Sequence, residues 1–139
     1  MSLFVVDTDI LSLYYHSDAA VVRRLRARPQ AELAISVMTV DEQLSGWYTV
    51  TRQARKTEQL VEAYSQLAEA VIRLATWRIL PYTESAIARV SHLKTLKLNI
   101  GVMDLRIAAI ALDHGAVVVS RNRRDFSRIP GLIVEDWSV

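Results

Sequence analysis

Four acidic residues stand beside short apolar segments of the chain. Asp7 directly follows a first apolar run, Glu42 and Asp125 lie shortly after two others, and Asp104 precedes a fourth, helical segment. If the runs are parallel strands, their carboxyl ends meet at one edge of a sheet, where loops and helix N-termini converge and ligands bind. We therefore expect these four carboxylates to gather at that edge.

Such a group of carboxylates favours a bound divalent cation. Like charges raise one another's pKa unless a cation joins them, and Mg²⁺ or Mn²⁺ prefers oxygen ligands. Zinc is a poor candidate, because the chain has no cysteine and His16, His92 and His114 are far apart in sequence. The sequence therefore predicts a Mg²⁺ site, which Mn²⁺ can also fill, with the four acids as its ligands.

Each of these acids also has a purely structural interpretation when it is taken alone. Asp7 or Asp9 can cap a helix N-terminus, and residues 39–42 match a capping box in which Glu42 closes the first helical turn. Asp104 can stabilise a helix dipole. These interpretations leave unexplained why so many acids would gather at one edge of the sheet.

The elements that position these residues alternate between strand-like and helical patterns. Short apolar runs predict buried strands at residues 3–6, 33–36 and 116–119, with weaker candidates at 78–80 and 132–134. Strands that alternate with helices are typical of an α/β fold. We expect a mainly parallel central sheet flanked by helices.

Helical periodicity is clearest in three segments between the strands. The longest has apolar residues at three- and four-residue spacing, which predict a core-facing stripe: Leu60, Val61, Tyr64, Leu67, Ala68, Val71 and Ala75. A shorter segment repeats the pattern at Ile87, Val90 and Leu93. Residues 105–112 are apolar nearly all round, as expected for a helix buried against the sheet.

Length and composition are those of one ordinary folded domain. The chain has 139 residues, 51% hydrophobic and 23% charged, so we expect a single domain over residues 1–139. No apolar run approaches the roughly 20 residues of a membrane span, and no basic leader precedes the first one. A soluble, cytoplasmic protein is therefore expected. Of the 17 basic residues 14 are Arg, which suits both phosphate contacts and exposed helix surface.

The ordered set of motifs resembles the PIN-domain ribonucleases, and most closely the VapC-type toxins of bacterial toxin-antitoxin pairs. The resemblance covers nearly the whole chain and is carried by VVDTDIL (5–11), ISVMTVDEQLSG (35–46), DLRIAAIA (104–111), SRNRRDF (120–126) and PGL (130–132). It implies a PIN-like fold and Mg²⁺-dependent cleavage of phosphodiester bonds in RNA. It also implies a homodimer, and a cognate antitoxin protein that covers the site.

The family pattern also implies a role for each acid. Asp7, Glu42 and Asp104 would form the core of the catalytic, metal-binding cluster. Asn122 occupies a position where many members carry an acid, so Asp125 is expected to supply the fourth charge. Ser120 stands where the family usually has Thr and keeps the hydroxyl.

Several other side chains have two interpretations each. Basic residues near Asp125 suit either flanking phosphates or a solvated loop; they are Arg121, Arg123, Arg124 and Arg128. Three aromatic residues suit either partner surfaces or the core; they are Trp47, Tyr48 and Trp77.

Two other functions remain open at this point. Asp7 and Asp9 after a strand also resemble the start of a haloacid-dehalogenase-type phosphatase, although the chain is short for that fold and Leu11 replaces the expected Thr. A metal-free interaction module could use the same acids as helix caps.

Overall fold

The computed structural model describes residues 2–139 as a five-stranded, entirely parallel sheet in the order β3-β2-β1-β4-β5. The strands are β1 (Phe4–Val6), β2 (Leu33–Ser36), β3 (Arg78–Leu80), β4 (Val117–Val119) and β5 (Ile133–Glu135). All five predicted strands are confirmed, three of them with ends shifted by one residue.

Seven α-helices of the described chain connect and cover the strands. They are α1 (Thr8–Tyr15), α2 (Ala19–Arg26), α3 (Val37–Gln53), α4 (Thr57–Ala75), α5 (Glu84–Thr95), α6 (Val102–Asp113) and α7 (Arg123–Phe126). A short 3₁₀ turn, Gln30–Glu32, leads into β2. Among residues 2–139 no helix is both long and apolar enough to span a membrane.

Helices cover both faces of the sheet, and side chains of one strand alternate between the two cores. Phe4 and Val6 point into a core with α1, α2 and Trp137. Val5 points into the opposite core with α5, α6 and α7. α6 is buried over residues 107–111, which confirms the prediction of a helix packed against the sheet. The predicted α/β class is therefore confirmed.

The predicted core face of α4 is wrong. α4 buries Ala63, Ala70 and Leu74, whereas Val61 and Tyr64 of the predicted stripe are 64% and 58% exposed. α4 packs beside α3, and the two small alanines on the buried side allow the close approach of the helices. Val61, Tyr64 and Val71 therefore lie on the outer side of α4.

Candidate active site

Asp7 is placed at the carboxyl edge of the sheet by β1, which ends one residue before it. Its Oδ1 accepts a hydrogen bond from the Thr8 backbone N–H at 2.8 Å, so Asp7 is the N-cap of α1 as well. Its Oδ2 accepts from the Ser120 hydroxyl at 2.8 Å, which ties the end of β1 to the end of β4. The hydroxyl at residue 120 thus holds the Asp7 carboxyl group in place.

The Asp7 carboxyl group is 7% exposed. Its pKa is raised to about 7, mainly by burial and also by the negative charges of Asp9 and Asp104, against the hydrogen bonds from Ser120 and Thr8, which lower it. Removing a carboxylate from water disfavours its charged form, so Asp7 is only partly ionised near neutral pH, and a cation bound beside it would favour the charged form.

Glu42 lies in the second turn of α3, beside the start of α1. The predicted capping box at residues 39–42 is wrong, because α3 begins at Val37 and its N-cap is Ser36, whose Oγ accepts from the Thr39 N–H. Glu42 is free of that role, and its Oε1 accepts from the Thr8 hydroxyl at 2.9 Å. Burial raises the pKa of Glu42, with a contribution from the charge of Asp104.

Asp104 lies in the first turn of α6, which begins at Val102 and so starts earlier than the sequence predicted. The Asn122 amide Nδ2 donates to Asp104 Oδ2 at 3.1 Å and to Asp125 Oδ2 at 3.1 Å. Burial raises the pKa of Asp104, and the charges of Asp125 and Asp9 act in the same direction, against the hydrogen bond from Asn122. One neutral amide therefore connects two of the predicted site residues.

Asp125 differs from the other three acids, because its charge is already compensated. It receives a hydrogen bond from Asn122, and its Oδ1 accepts from the Arg128 guanidinium at 2.6 Å. These hydrogen bonds lower the pKa of Asp125. Asn122 also caps α7. Asp125 therefore stays ionised at neutral pH.

Asp9 belongs to the same cluster, although the sequence pointed only to a capping role for it. Its Oδ2 accepts from the Arg121 backbone N–H at 3.2 Å, and its charge raises the pKa of Asp7, Glu42 and Asp104. Asp9 Oδ1 is buried and has no hydrogen-bond partner within residues 2–139. The two-residue spacing from Asp7, directly after a strand, was the signal that could have identified it.

The donor set at this edge suits a hard divalent cation. No group of three acidic or histidine side chains in the described chain is arranged closely enough to enclose an ion by itself. Mg²⁺ does not require such a shell, because it is usually held by one or two carboxylates and keeps several waters. The unpartnered Asp9 oxygen and the mutual repulsion of the neighbouring acids fit such a cation.

The three histidines stand outside this cluster. His16 and His114 cap the C-terminal ends of α1 and α6, and His92 lies in the last turn of α5. All three are exposed.

Two of the four arginines around α7 are already engaged. Arg121 lies 3.6 Å from Asp9, and Arg128 binds Asp125 and the Leu98 carbonyl oxygen. Arg123 and Arg124 are exposed, and their side chains make no ion pair with any described residue. These two are therefore the arginines available to a phosphate.

Two of the solved structures that are similar to this chain match it over almost its whole length. One is the crystal structure of DNA-bound VapBC from Salmonella typhimurium, with a TM-score of 0.77, 25% identity and 99% of each chain covered. The other is VapBC-1 from nontypeable Haemophilus influenzae, with a TM-score of 0.70, 26% identity and 99% of each chain covered.

Comparison with known protein sequences gives relatives of the same kind as these structures. The chain is 27% identical to a protein of Shigella flexneri named tRNA(fMet)-specific endonuclease VapC, over 99% of this chain and 100% of that protein. The PIN domain family matches residues 4–132, which overturns the alternative of a haloacid-dehalogenase-type phosphatase. The chain therefore belongs to the PIN domain family.

Proposed function

We propose that this protein is a Mg²⁺-dependent endoribonuclease and the toxin of a toxin-antitoxin pair. The proposal is supported by membership of the PIN family and by similarity to a protein named as a tRNA-specific endonuclease. It is also supported by the oxygen-rich cluster at the carboxyl edge of the sheet. Its substrate class is RNA and its reaction is hydrolysis of a phosphodiester bond.

The meeting of Asp7, Glu42 and Asp104 at one edge of the sheet is the observation that carries this proposal. Burial and mutual repulsion raise the pKa of Asp7, Glu42 and Asp104 together. Such an arrangement destabilises the folded protein, and a bound cation would relieve the repulsion. Perturbed acids grouped in this way are typical of functional sites, whereas a metal-free interaction module that used them only as caps would not require them to meet.

The residues divide the catalytic work according to their contacts. Asp7 and Asp104 would hold the ion most directly, because Ser120 and Asn122 fix their carboxyl groups. A bound Mg²⁺ or Mn²⁺ would lower the pKa of a bound water and stabilise charge on the scissile phosphate. Glu42 is the most exposed of the three, and it would orient the attacking water and accept its proton.

Asp125 and Asn122 complete the site from the β4 side. Asp125 is the fourth acid of the proposed metal site, and its compensated charge anchors the Asn122 amide. That amide in turn directs the Asp104 carboxyl group. Asp125 would therefore act mainly by orienting other ligands and waters.

The proposed partners follow from the relatives. The matched structures from Salmonella typhimurium and Haemophilus influenzae are of VapBC and VapBC-1, and a matched structure from Klebsiella pneumoniae is of a toxin-antitoxin complex. We expect this protein likewise to bind a cognate antitoxin protein and to form a homodimer.

Incubation with a panel of structured RNAs, with Mg²⁺ and with EDTA, tests the proposed activity. We expect defined cleavage products in Mg²⁺, the same products in Mn²⁺, and none in EDTA, because the acids alone provide no cation for the phosphate. Gel or sequencing analysis of the product ends provides the measurement. Undiminished cleavage in EDTA would contradict the proposal.

The two free arginines of α7 provide a separate prediction about RNA binding. Replacing Arg123 and Arg124 with Ala should weaken binding and reduce the slope of log K against log salt by about one for each lost phosphate contact. Binding is measured in EDTA, so that RNA stays intact. Arg55→Ala is the matched control, because Arg55 is exposed and lies between α3 and α4. An unchanged salt slope would show that Arg123 and Arg124 face away from the RNA.

A further inference from the structure

Arg128 lies two residues beyond α7 and holds together two parts of the chain beside the acidic cluster. Its Nη2 donates to Asp125 Oδ1 at 2.6 Å, and its Nη1 donates to the Leu98 carbonyl oxygen at 2.6 Å. Its Nε donates to the Arg124 carbonyl oxygen at 3.3 Å. Every nitrogen of this guanidinium therefore has an acceptor within the protein itself.

The Leu98 carbonyl group belongs to residues 96–101, which connect α5 to α6. The neighbours of Leu98 on both sides, Lys97 and Asn99, have φ angles of 52° and 57°, in the left-handed region that residues other than glycine seldom adopt. Such a backbone conformation persists only where the surrounding structure holds it. Within residues 2–139, the bond from Arg128 is the only hydrogen bond to the backbone of residues 98–100. Arg128 is therefore the polar contact that holds this connection.

The connection leads directly into the first turn of α6, which carries Asp104. Gly101 is the N-cap of α6 and provides no side-chain hydrogen bond to it. The body of α6 is fixed by its burial over residues 107–111, whereas the first turn lies nearer the surface, where Val102 is 41% exposed. Since no capping side chain holds this turn, the position of Asp104 depends on the connection before it and on its hydrogen bond from Asn122.

Arg128 acts on Asp104 by two routes. Along the chain, it holds the Leu98 carbonyl group in the connection that leads to Asp104. Through side chains, it holds Asp125, which accepts from the same Asn122 amide that donates to Asp104. The two routes close a ring of contacts around the first turn of α6. Loss of the guanidinium would open this ring at two hydrogen bonds at once, and the Asp104 carboxyl group would lose its fixed direction.

We propose that Arg128 is a positioning residue of the metal site, which keeps the Asp104 carboxyl group in place for a divalent cation by holding both the connection before α6 and Asp125. The inference rests on the proposed function, because it requires that the acidic cluster binds Mg²⁺. It separates Arg128 from Arg123 and Arg124, which are proposed to contact phosphates of the RNA. Replacement of groups that orient metal ligands typically weakens metal binding by about tenfold to a hundredfold.

The direction of the effect on Mg²⁺ binding distinguishes positioning from simple electrostatics. Arg128 carries a positive charge close to the acids, so its replacement by a neutral residue would strengthen the attraction of a cation if charge alone mattered. Replacement would also release Asp125 from its ion pair. The proposed role predicts the opposite result, a weaker affinity for Mg²⁺, because this ion demands a well-defined ligand geometry.

Titration of the RNA-free protein with MgCl₂, followed by calorimetry, provides the first test. We expect Arg128→Gln to raise the Kd for Mg²⁺ by about tenfold to a hundredfold. Arg128→Lys, which keeps the charge but not the planar fork, should raise it less. Arg55→Gln removes an equal charge elsewhere on the chain and should bind Mg²⁺ as the parent does. Unchanged or tighter binding by Arg128→Gln would overturn the proposal.

Circular dichroism in EDTA shows whether the variants are folded. If Arg128→Gln does not fold, the comparison of Arg128→Lys with the parent decides in the same direction, because the lysine side chain retains the charge and loses only the paired geometry. Equal Mg²⁺ affinity of the parent and a folded Arg128→Lys variant would then overturn the proposal.

RNA experiments with the same variants test whether Arg128 binds phosphate instead. In EDTA, Arg128→Gln should keep the parent's RNA affinity and its slope of log K against log salt, whereas replacement of Arg123 and Arg124 reduces both. In cleavage assays, Arg128→Gln should need about tenfold to a hundredfold more Mg²⁺ for its half-maximal rate, at an unchanged KM for RNA. A lower RNA affinity with an unchanged Mg²⁺ dependence would identify Arg128 as a phosphate contact and overturn the proposal.

The behaviour of the parent separates a failure of this inference from a failure of the proposed function. A parent that neither binds Mg²⁺ nor cleaves RNA overturns both. A parent that binds Mg²⁺ and cleaves RNA, beside an Arg128→Gln variant that does so equally well at every Mg²⁺ concentration, overturns only the positioning role.

Discussion

Replacing Asp104 with Asn is expected to reduce the rate of RNA cleavage by at least about a hundredfold. Loss of a group that only orients a metal ligand costs up to about a hundredfold, and Asp104 is proposed to be a ligand itself. The amide can still accept the hydrogen bond from Asn122, because its oxygen replaces Asp104 Oδ2. Its neutral oxygen is a much weaker ligand for a hard cation. Initial rates of RNA cleavage at saturating Mg²⁺ provide the measurement. Asp7→Asn should have the same effect.

Asp18→Asn is the matched control for these variants. Asp18 caps α2, and Asn caps a helix about as well as Asp does. The control removes one carboxylate without touching the acidic cluster and should cleave RNA at the parent rate. Circular dichroism would first show that the Asp104→Asn variant is folded. If the folded variant then cleaved RNA as fast as the control, Asp104 would serve only to stabilise the helix dipole and the proposed site would be wrong.

The metal-free protein is expected to become less stable as pH rises from about 4 to about 7. Asp7 has a pKa of about 7 in the folded protein and an ordinary value of 3.8, so between these values the folded state binds more protons than the unfolded state. Stability therefore falls with rising pH, by roughly 4 kcal/mol when the shift of about three units is complete. Glu42 and Asp104 act in the same direction, because their pKa values are also raised.

Thermal melts of the parent and of Asp7→Asn in EDTA test this expectation. At pH 4 the two should melt at similar temperatures, and at pH 8 the variant should melt roughly 10 °C higher, given a few degrees for each kcal/mol. Mg²⁺ at a hundredfold excess over its Kd should stabilise the parent by about 2.7 kcal/mol and leave the variant nearly unchanged. A parent whose melting temperature changes neither with pH nor with Mg²⁺ would show that the acids are far apart in solution.

The strands could be predicted from the sequence because short runs of buried apolar residues carry their own signal. The runs at residues 33–36 and 78–80 became β2 and β3 with the same ends. Asp7 could be placed at the carboxyl edge of the sheet for the same reason, since it directly follows β1. Local pattern and chain order were sufficient for these features.

The surroundings of α4 and α3 could not be predicted in this way. Helical periodicity shows that Val61, Tyr64 and Val71 share a face, but it does not show which neighbour that face meets, and all three are exposed. The capping box at residues 39–42 had the correct residue types in the wrong register, because Ser36 at the end of β2 had already capped α3. Packing and the exact helix start decided both outcomes.

The sequence by itself determined the strands, the alternation with helices and the chain positions of the acids, because these depend on local patterns. Only the tertiary structure decided which donors hold each carboxylate: Ser120 on Asp7, Thr8 on Glu42, and Asn122 between Asp104 and Asp125. It also brought Asp9 into the cluster. Apart from the bond between Asn122 and Asp125, these hydrogen bonds join residues far apart in sequence, so they depend on how helices and strands pack and not on local pattern.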